Sequence, residues 1–219
     1  MAALLLIVSS TFAFAETKAT ASTPPSAPAK SSADPFSDPL IQKVQARHQK
    51  AVDGDTKETK DLTADLEKWT KEQPTNYLLE AYLGSAYTLC SRDAWPGPGK
   101  LEFLKNGGKL MDAAVTSAPE NPAVRFIRAI NYYSLPAIFG KRQTARDDFQ
   151  ILVKQVDGVT KTVYVLNLET RQAIFLYAGL SYYDLDQNKE AKDVWEQGLK
   201  LDPASKLGVK IAEELKKVK

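Results

Sequence analysis

The stretch that most constrains how this 219-residue chain can fold runs from Phe175 to Pro203. Ala178 and Gly179 are followed by Tyr182, and Ala191, Trp195, Gly198 and Pro203 stand nine, thirteen, sixteen and twenty-one residues beyond that tyrosine. These offsets predict two antiparallel helices. Gly179 and Ala191 carry so little side chain that two helix backbones can approach closely, and Tyr182 and Trp195 fill the space beside the contact. Pro203 then closes the second helix, because its ring and missing N–H prevent continuation.

The same arrangement recurs upstream. Leu83, Gly84 and Tyr87 match Ala178, Gly179 and Tyr182, and are followed by Gly107, Met111, Ala114 and Pro119. Arg128, Ala129 and Tyr132 are followed by Ala145, Phe149 and Leu152. A first, degenerate copy shows in Leu62, Leu66, Trp69 and Pro74, where Trp69 replaces a small residue and must alter the packing. Asp38 as cap and Pro39 in the first turn start the helix before it, and Asp53, Gly54 and Asp55 end that helix.

This pattern resembles the tetratricopeptide repeat, a helix-turn-helix unit of roughly 34 residues that stacks into a curved solenoid. The resemblance covers about 38–219 and implies an all-α fold, a right-handed solenoid of antiparallel helix pairs. Its repeats fall at about 39–75, 76–120, 122–157 and 168–203, with a cap over 204–219. In the cap, Leu207, Ile211, Leu215 and Val218 share one helical face, which would cover the last repeat as solenoid ends require. A membrane-surface helix is the other reading, disfavoured by a narrow apolar face without aromatics.

Two spacings depart from the reference. Tyr87 to Pro119 spans 32 residues where Tyr182 to Pro203 spans 21, so eleven extra residues sit between paired helices. The segment Arg92–Gly99 holds two prolines and two glycines, and reads as a projecting loop. Trp95 within it either pins the loop to the body or faces a partner; an exposed tryptophan is a liability, which favours pinning. Tyr132 to Ala145 is thirteen residues where nine are usual, with Pro136 ending one helix and Gly140 allowing a tight turn. In stacked units such turns line up along one edge, which makes Arg92, Trp95, Lys141 and Arg142 a candidate basic partner-binding rim; simple solvation of the charges is the alternative. Asp157-Gly158 lies among β-branched residues and reads either as a hairpin or as a helix end, the latter favoured by flanking helices.

The resemblance further implies that the first helices of successive units line a concave groove. Matching residues around Gly84, Ala129 and Gly179 places Tyr82, Ser85, Ile130, Tyr133, Tyr177, Leu180 and Tyr183 there as partner-binding candidates. Such a lining suits an extended or helical apolar segment of another protein. The alternative is a narrow groove filled by the Trp95 loop or the first helix. The Lys and Asn residues with which chaperone-binding members of the family grip a terminal carboxylate are not at these positions, so no carboxylate clamp is expected.

Composition excludes several chemistries. Lys and Arg number 29 against 27 Asp and Glu, and a net charge of +2 gives no strong field for nucleic acid or an anionic membrane. A single cysteine, Cys90, and a single histidine, His48, exclude an internal disulfide and the common Cys/His zinc sites. A carboxylate-only Mg or Ca site stays open, but no EF-hand loop, phosphate-binding loop or nucleophile elbow is present, so no cofactor, metal or catalysis is expected. His48 reads as solvated on a polar helix face, and Cys90 as a buried small apolar residue. Asp147 and Asp148, beside Arg146, read as helix-start residues suited to the dipole; as neighbours on a helix they point in different directions and make no acid/base pair.

The first fifteen residues, MAALLLIVSSTFAFA, read as an export signal, too short for a bilayer span and lacking the usual positive start. Residues 16–37 are rich in Ala, Ser, Thr and Pro and read as a disordered linker. The combined expectation is an exported bacterial protein, periplasmic or secreted, that acts as a non-catalytic protein-binding scaffold without a membrane span after signal removal. The alternative is a ligand-binding or transport accessory protein whose groove is closed by the inserted loops.

Overall fold

Helices, and no strands, make up the regular structure of residues 34–158 and 163–218, the parts that the computed structural model describes. They are α1 (Pro39–Val52), α2 (Thr56–Glu72), α3 (Tyr77–Asp93), α4 (Pro98–Ser117), α5 (Pro122–Ser134), α6 (Arg142–Val156), α7 (Leu168–Tyr183), α8 (Asn188–Leu201) and α9 (Lys206–Leu215), with a 3-10 turn over Ala137–Phe139. The expected export signal and the linker up to residue 33 lie outside the described residues.

Local chemistry sets most of the starts. Asp38 accepts hydrogen bonds from the Leu40 and Ile41 amides, and Pro39 occupies a position where its missing N–H costs nothing. Asp55, Asn76, Asn121, Asn167 and Ser205 cap α2, α3, α5, α7 and α9 in the same way. Pro136 ends α5 at Ser134, and Gly140 turns the chain with a positive φ before α6. The Asp157-Gly158 pair is a helix end: α6 stops at Val156, and Gly158 takes the left-handed conformation that favours glycine.

Consecutive helices pack antiparallel. Ser91 meets the Lys100 carbonyl at one end of the α3–α4 pair, while Gly84 meets Met111 further along it. Tyr132 reaches Gly108 and Arg128 reaches Asp112 across α4 and α5, and Trp195 of α8 donates to the Leu176 carbonyl of α7. It follows that α1, α3 and α5 run the same way, and α1, α3, α5, α7 and α9 also touch one another in series. The closest approaches occur where side chains are missing. A Cβ on Gly84 would lie 2.7 Å from the Gly107 carbonyl oxygen, and one on Gly179 would collide with the Trp195 indole.

One core runs through the described chain, with Tyr82, Tyr132, Phe149, Phe175 and Trp195 fully buried. It begins before α1. Phe36 is buried, and Asp34 accepts from the Asn167 side chain at 2.9 Å, so the last residues of the stretch expected to be linker are packed against the start of α7. The expected projecting loop is also shorter than its prolines and glycines suggested. Pro98 takes the first-turn position of α4, where proline is compatible with helix, and only residues 94–97 remain between α3 and α4. No helix of the described residues is long and apolar enough to cross a membrane.

Candidate functional site

The connections that follow α1, α3, α5 and α7 gather at one end of the molecule. Arg92, in the last turn of α3, donates to the carbonyls of Ala51 (2.8 Å) and Val52 (3.0 Å) at the end of α1. Asn131, near the end of α5, donates to Thr88 near the end of α3 at 2.8 Å. Tyr133 donates through its hydroxyl to Asp184, the cap of α7, at 2.8 Å, and Arg142 donates to the same carboxylate oxygen at 2.7 Å.

The charged members of the expected rim are therefore engaged. Arg92 pairs with Asp93 besides bonding to the α1 carbonyls. Lys141 lies 4.4 Å from the centre of the Tyr132 ring and 3.5 Å from Asp112, and the Arg142 guanidinium lies 4.9 Å from the centre of the Tyr133 ring. Trp95 differs from them. It is 91 % exposed, so it does not pin the loop to the body, because nothing on the neighbouring turns reaches out to it. Ile138, in the next connection, is 89 % exposed, and Phe139 and Leu185 are exposed at the same end.

Of the seven expected groove residues, the fold buries four. Tyr82 and Ser85 lie under α1, Tyr82 edge-on to the His48 ring and Ser85 bonded to it. Ile130 is in the core, and Tyr177 stacks on Phe149 at 6.4 Å between ring centres. Tyr133, Leu180 and Tyr183 remain partly exposed in the last turns of α5 and α7, with Tyr183 against Trp195. Burial and the Asp184 carboxylate raise the Tyr133 phenol above its ordinary value, which keeps its hydroxyl a donor.

Several residues that sequence reasoning set aside are the most interconnected. His48 is 3 % exposed rather than solvated. Its Nε2 meets Ser85 Oγ at 2.8 Å, Asn131 donates to the same oxygen at 3.0 Å, and His48 Nδ1 has no hydrogen-bond partner among the described residues. The signal was present: with Ile41, Val44 and Ala51, His48 falls on the buried stripe of α1. Asp148 is not a helix-start residue. It sits well inside α6, 1 % exposed, and accepts from Arg125 and from Nε and Nη2 of Arg128, each at 2.8 Å. Arg128 in turn reaches the half-exposed Asp112, so one charge network, buried at Asp148 and open at Asp112, joins α4, α5 and α6. Cys90 is half-buried beside Thr63, and burial raises its thiol.

The opposite end has a different character. A cleft of about 930 Å³ opens there beside the α2–α3 and α4–α5 connections, with Asp38, Glu72 and Glu120 in its lining together with Tyr77 and Tyr164. Lysine and arginine are absent from its lining among the described residues. A shallower depression of about 460 Å³ lies between α2, α3 and α4, where Tyr87 donates to Glu67 at 2.7 Å. No group of three or more His, Cys, Asp or Glu among the described residues is arranged to hold a metal ion. No protein-family model, curated protein or solved structure matches the chain.

Proposed function

We propose that this chain is a non-catalytic interaction scaffold, built of helix pairs stacked like tetratricopeptide repeats, that holds an apolar segment of another protein against Tyr133, Leu180 and Tyr183. The support for the stacking is the parallel run of α1, α3 and α5 and the serial contact of the odd-numbered helices. The observation that carries the binding reading is the Tyr133–Asp184 hydrogen bond. It fixes an aromatic ring, still partly exposed, beside the end of α7, where Leu180 and Tyr183 are also partly exposed. Rigid tyrosines of this kind supply contact area and a hydroxyl at low entropic cost. The apolar run over residues 1–15 adds export to the reading, so the partner is sought in the periplasm or outside the cell. A ligand-holding accessory role is the weaker alternative, since Tyr82, Ser85, Ile130 and Tyr177 are already covered by neighbouring side chains.

The test is a set of immobilised apolar segments probed with the full chain and with Tyr133→Phe, Leu180→Ser and Tyr183→Ser variants. Loss of Leu180 and Tyr183 is expected to weaken the best-bound segment by about tenfold or more, the cost of removing central apolar anchors. Tyr133→Phe, which keeps the ring, is expected to have a smaller effect. Unchanged binding by the Leu180→Ser, Tyr183→Ser double variant would sink the proposal.

A further inference from the structure

The described residues begin at the wall of the larger cleft. Pro35 belongs to its lining, Phe36 is buried, and Asp34 is tied to Asn167, so the preceding chain departs from a fixed point beside the opening. Residues 1–33 lie upstream, and those nearest carry a pattern that the stacked helices do not use. Residues 24–30 read PPSAPAK, with Pro25 and Pro28 three apart and Lys30 two further on. Prolines at this spacing favour the polyproline II helix, whose three-residue turn sets both rings on one edge and which is recognised by aromatic-lined grooves.

The cleft offers such a surface. Tyr77 and Tyr164 are partly exposed in its lining, and its volume of about 930 Å³ is in the range that encloses a ligand. Asp38, Glu72 and Glu120 are exposed beside them. Asp38 caps α1 and Glu72 lies 3.8 Å from Lys68, which leaves Glu120 without an ion-pair partner among the described residues. The cations nearest in the chain are held in other contacts: Lys43 lies over the Trp69 ring, Lys71 lines the depression between α2 and α4, and Arg125 is bonded to the buried Asp148. A lysine just past two prolines therefore finds a free counter-charge close to the rings that take the prolines.

Attachment adds to fit. Residues 31–34 separate Lys30 from Pro35, and a polyproline chain covers about 3 Å per residue, so the motif reaches the cleft without crossing the molecule. A tether this short holds the segment at a local concentration of about millimolar, at which modest contacts suffice.

We propose that residues 24–30 of the chain itself occupy this cleft, with the prolines against Tyr77 and Tyr164 and Lys30 beside Glu120, and so mask it from proline-rich segments of other proteins. The cleft lies at the opposite end from Tyr133, Leu180 and Tyr183, so the two proposals fail independently.

Full-length protein is compared with a full-length variant that combines Pro25→Ala, Pro28→Ala and Lys30→Ala, which alters no side chain of the helices. A fluorescent peptide of residues 22–32 is titrated into both. The variant is expected to bind the peptide about tenfold more tightly than the wild type, whose own segment competes for the site. Adding the exposed changes Glu72→Lys and Glu120→Lys to that variant is expected to abolish most of the binding while the circular dichroism is kept. Amide exchange over 72–77 and 117–122 is expected to be slower in the wild type than in the triple variant, and to stay slower on dilution. Absence of peptide binding to the triple variant would overturn the proposal, as would equal binding to both proteins or binding that survives the charge reversal. Protection that fades on dilution would also overturn it and make the occupant the segment of a second copy.

Discussion

His48 is held neutral by its surroundings. Burial is the main cause and the nearby Arg92 charge the second, and together they push the imidazole down to about 4 from its ordinary 6.5. An unfolded chain takes up the proton near pH 6.5, whereas the folded chain resists until about pH 4. The stability that neutral His48 confers is therefore complete above pH 6.5 and drains away as pH falls through that window. A depression of this size corresponds to about 3 kcal/mol. Urea unfolding from pH 7 to pH 4 is expected to show the wild type losing more stability than His48→Gln, whose amide can still meet Ser85 but does not titrate. Parallel curves for the two proteins would show that His48 does not titrate as a buried group.

Between helices, the fold depends on glycines that no side chain can replace. A Cβ on Gly179 meets Trp195 Nε1, Cδ1 and Cε2 at once, and that indole is fully buried and bonded to the Leu176 carbonyl. Gly179→Ala is expected to cost about 1–3 kcal/mol, the usual price of overpacking. Gly99, in the first turn of α4, has nothing within 4 Å, so Gly99→Ala is expected to be neutral or to stabilise by about 0.5 kcal/mol through helix propensity. Chemical denaturation of both variants checks the contrast, and equal effects would remove the close-contact argument. These contacts were legible in the sequence because a helix–helix approach leaves its record in residue size, at Gly84, Gly107 and Gly179 alike. The start of α4 was not, since Pro98 and Gly99 read as breakers when only their number is considered and as a helix start once Pro98 is placed in the first turn. The exposure of Trp95 and the burial of His48 and Asp148 were not legible either. Each depends on what a neighbouring element offers: nothing beside Trp95, Ser85 beside His48, and two arginines of α5 beside Asp148.

Across the whole molecule, most contacts join elements adjacent in the chain or one element removed, which makes the consequences of damage local. At the C-terminal end, α9 covers α7 and α8: Leu207 and Ile211 are buried, and a Cβ on Gly198 would lie 2.9 Å from Ile211. Gln172 ties the junction together, donating to the carbonyls of Gly198 (3.2 Å) and Asp202 (2.7 Å) and accepting from Ser205 Oγ at 2.7 Å. Truncation after Pro203 strips this cover and leaves the Gln172 carbonyl oxygen without its Ser205 donor. Amide hydrogen exchange is expected to accelerate in α7 and α8, while α3 and α4, joined through Gly84 and Gly107 far along the series, keep their protection. One link runs against simple locality. Asp34 bonds to Asn167 at the start of α7, and Phe36 enters the same core, so loosening of α7 is expected to reach the first turn of α1 before it reaches α3. Exchange that rises equally in all helices would mean that the described chain opens as a single cooperative unit. Exchange confined to α7 and α8, with the start of α1 unchanged, would mean that the Asp34–Asn167 contact carries no coupling between the two ends of the chain.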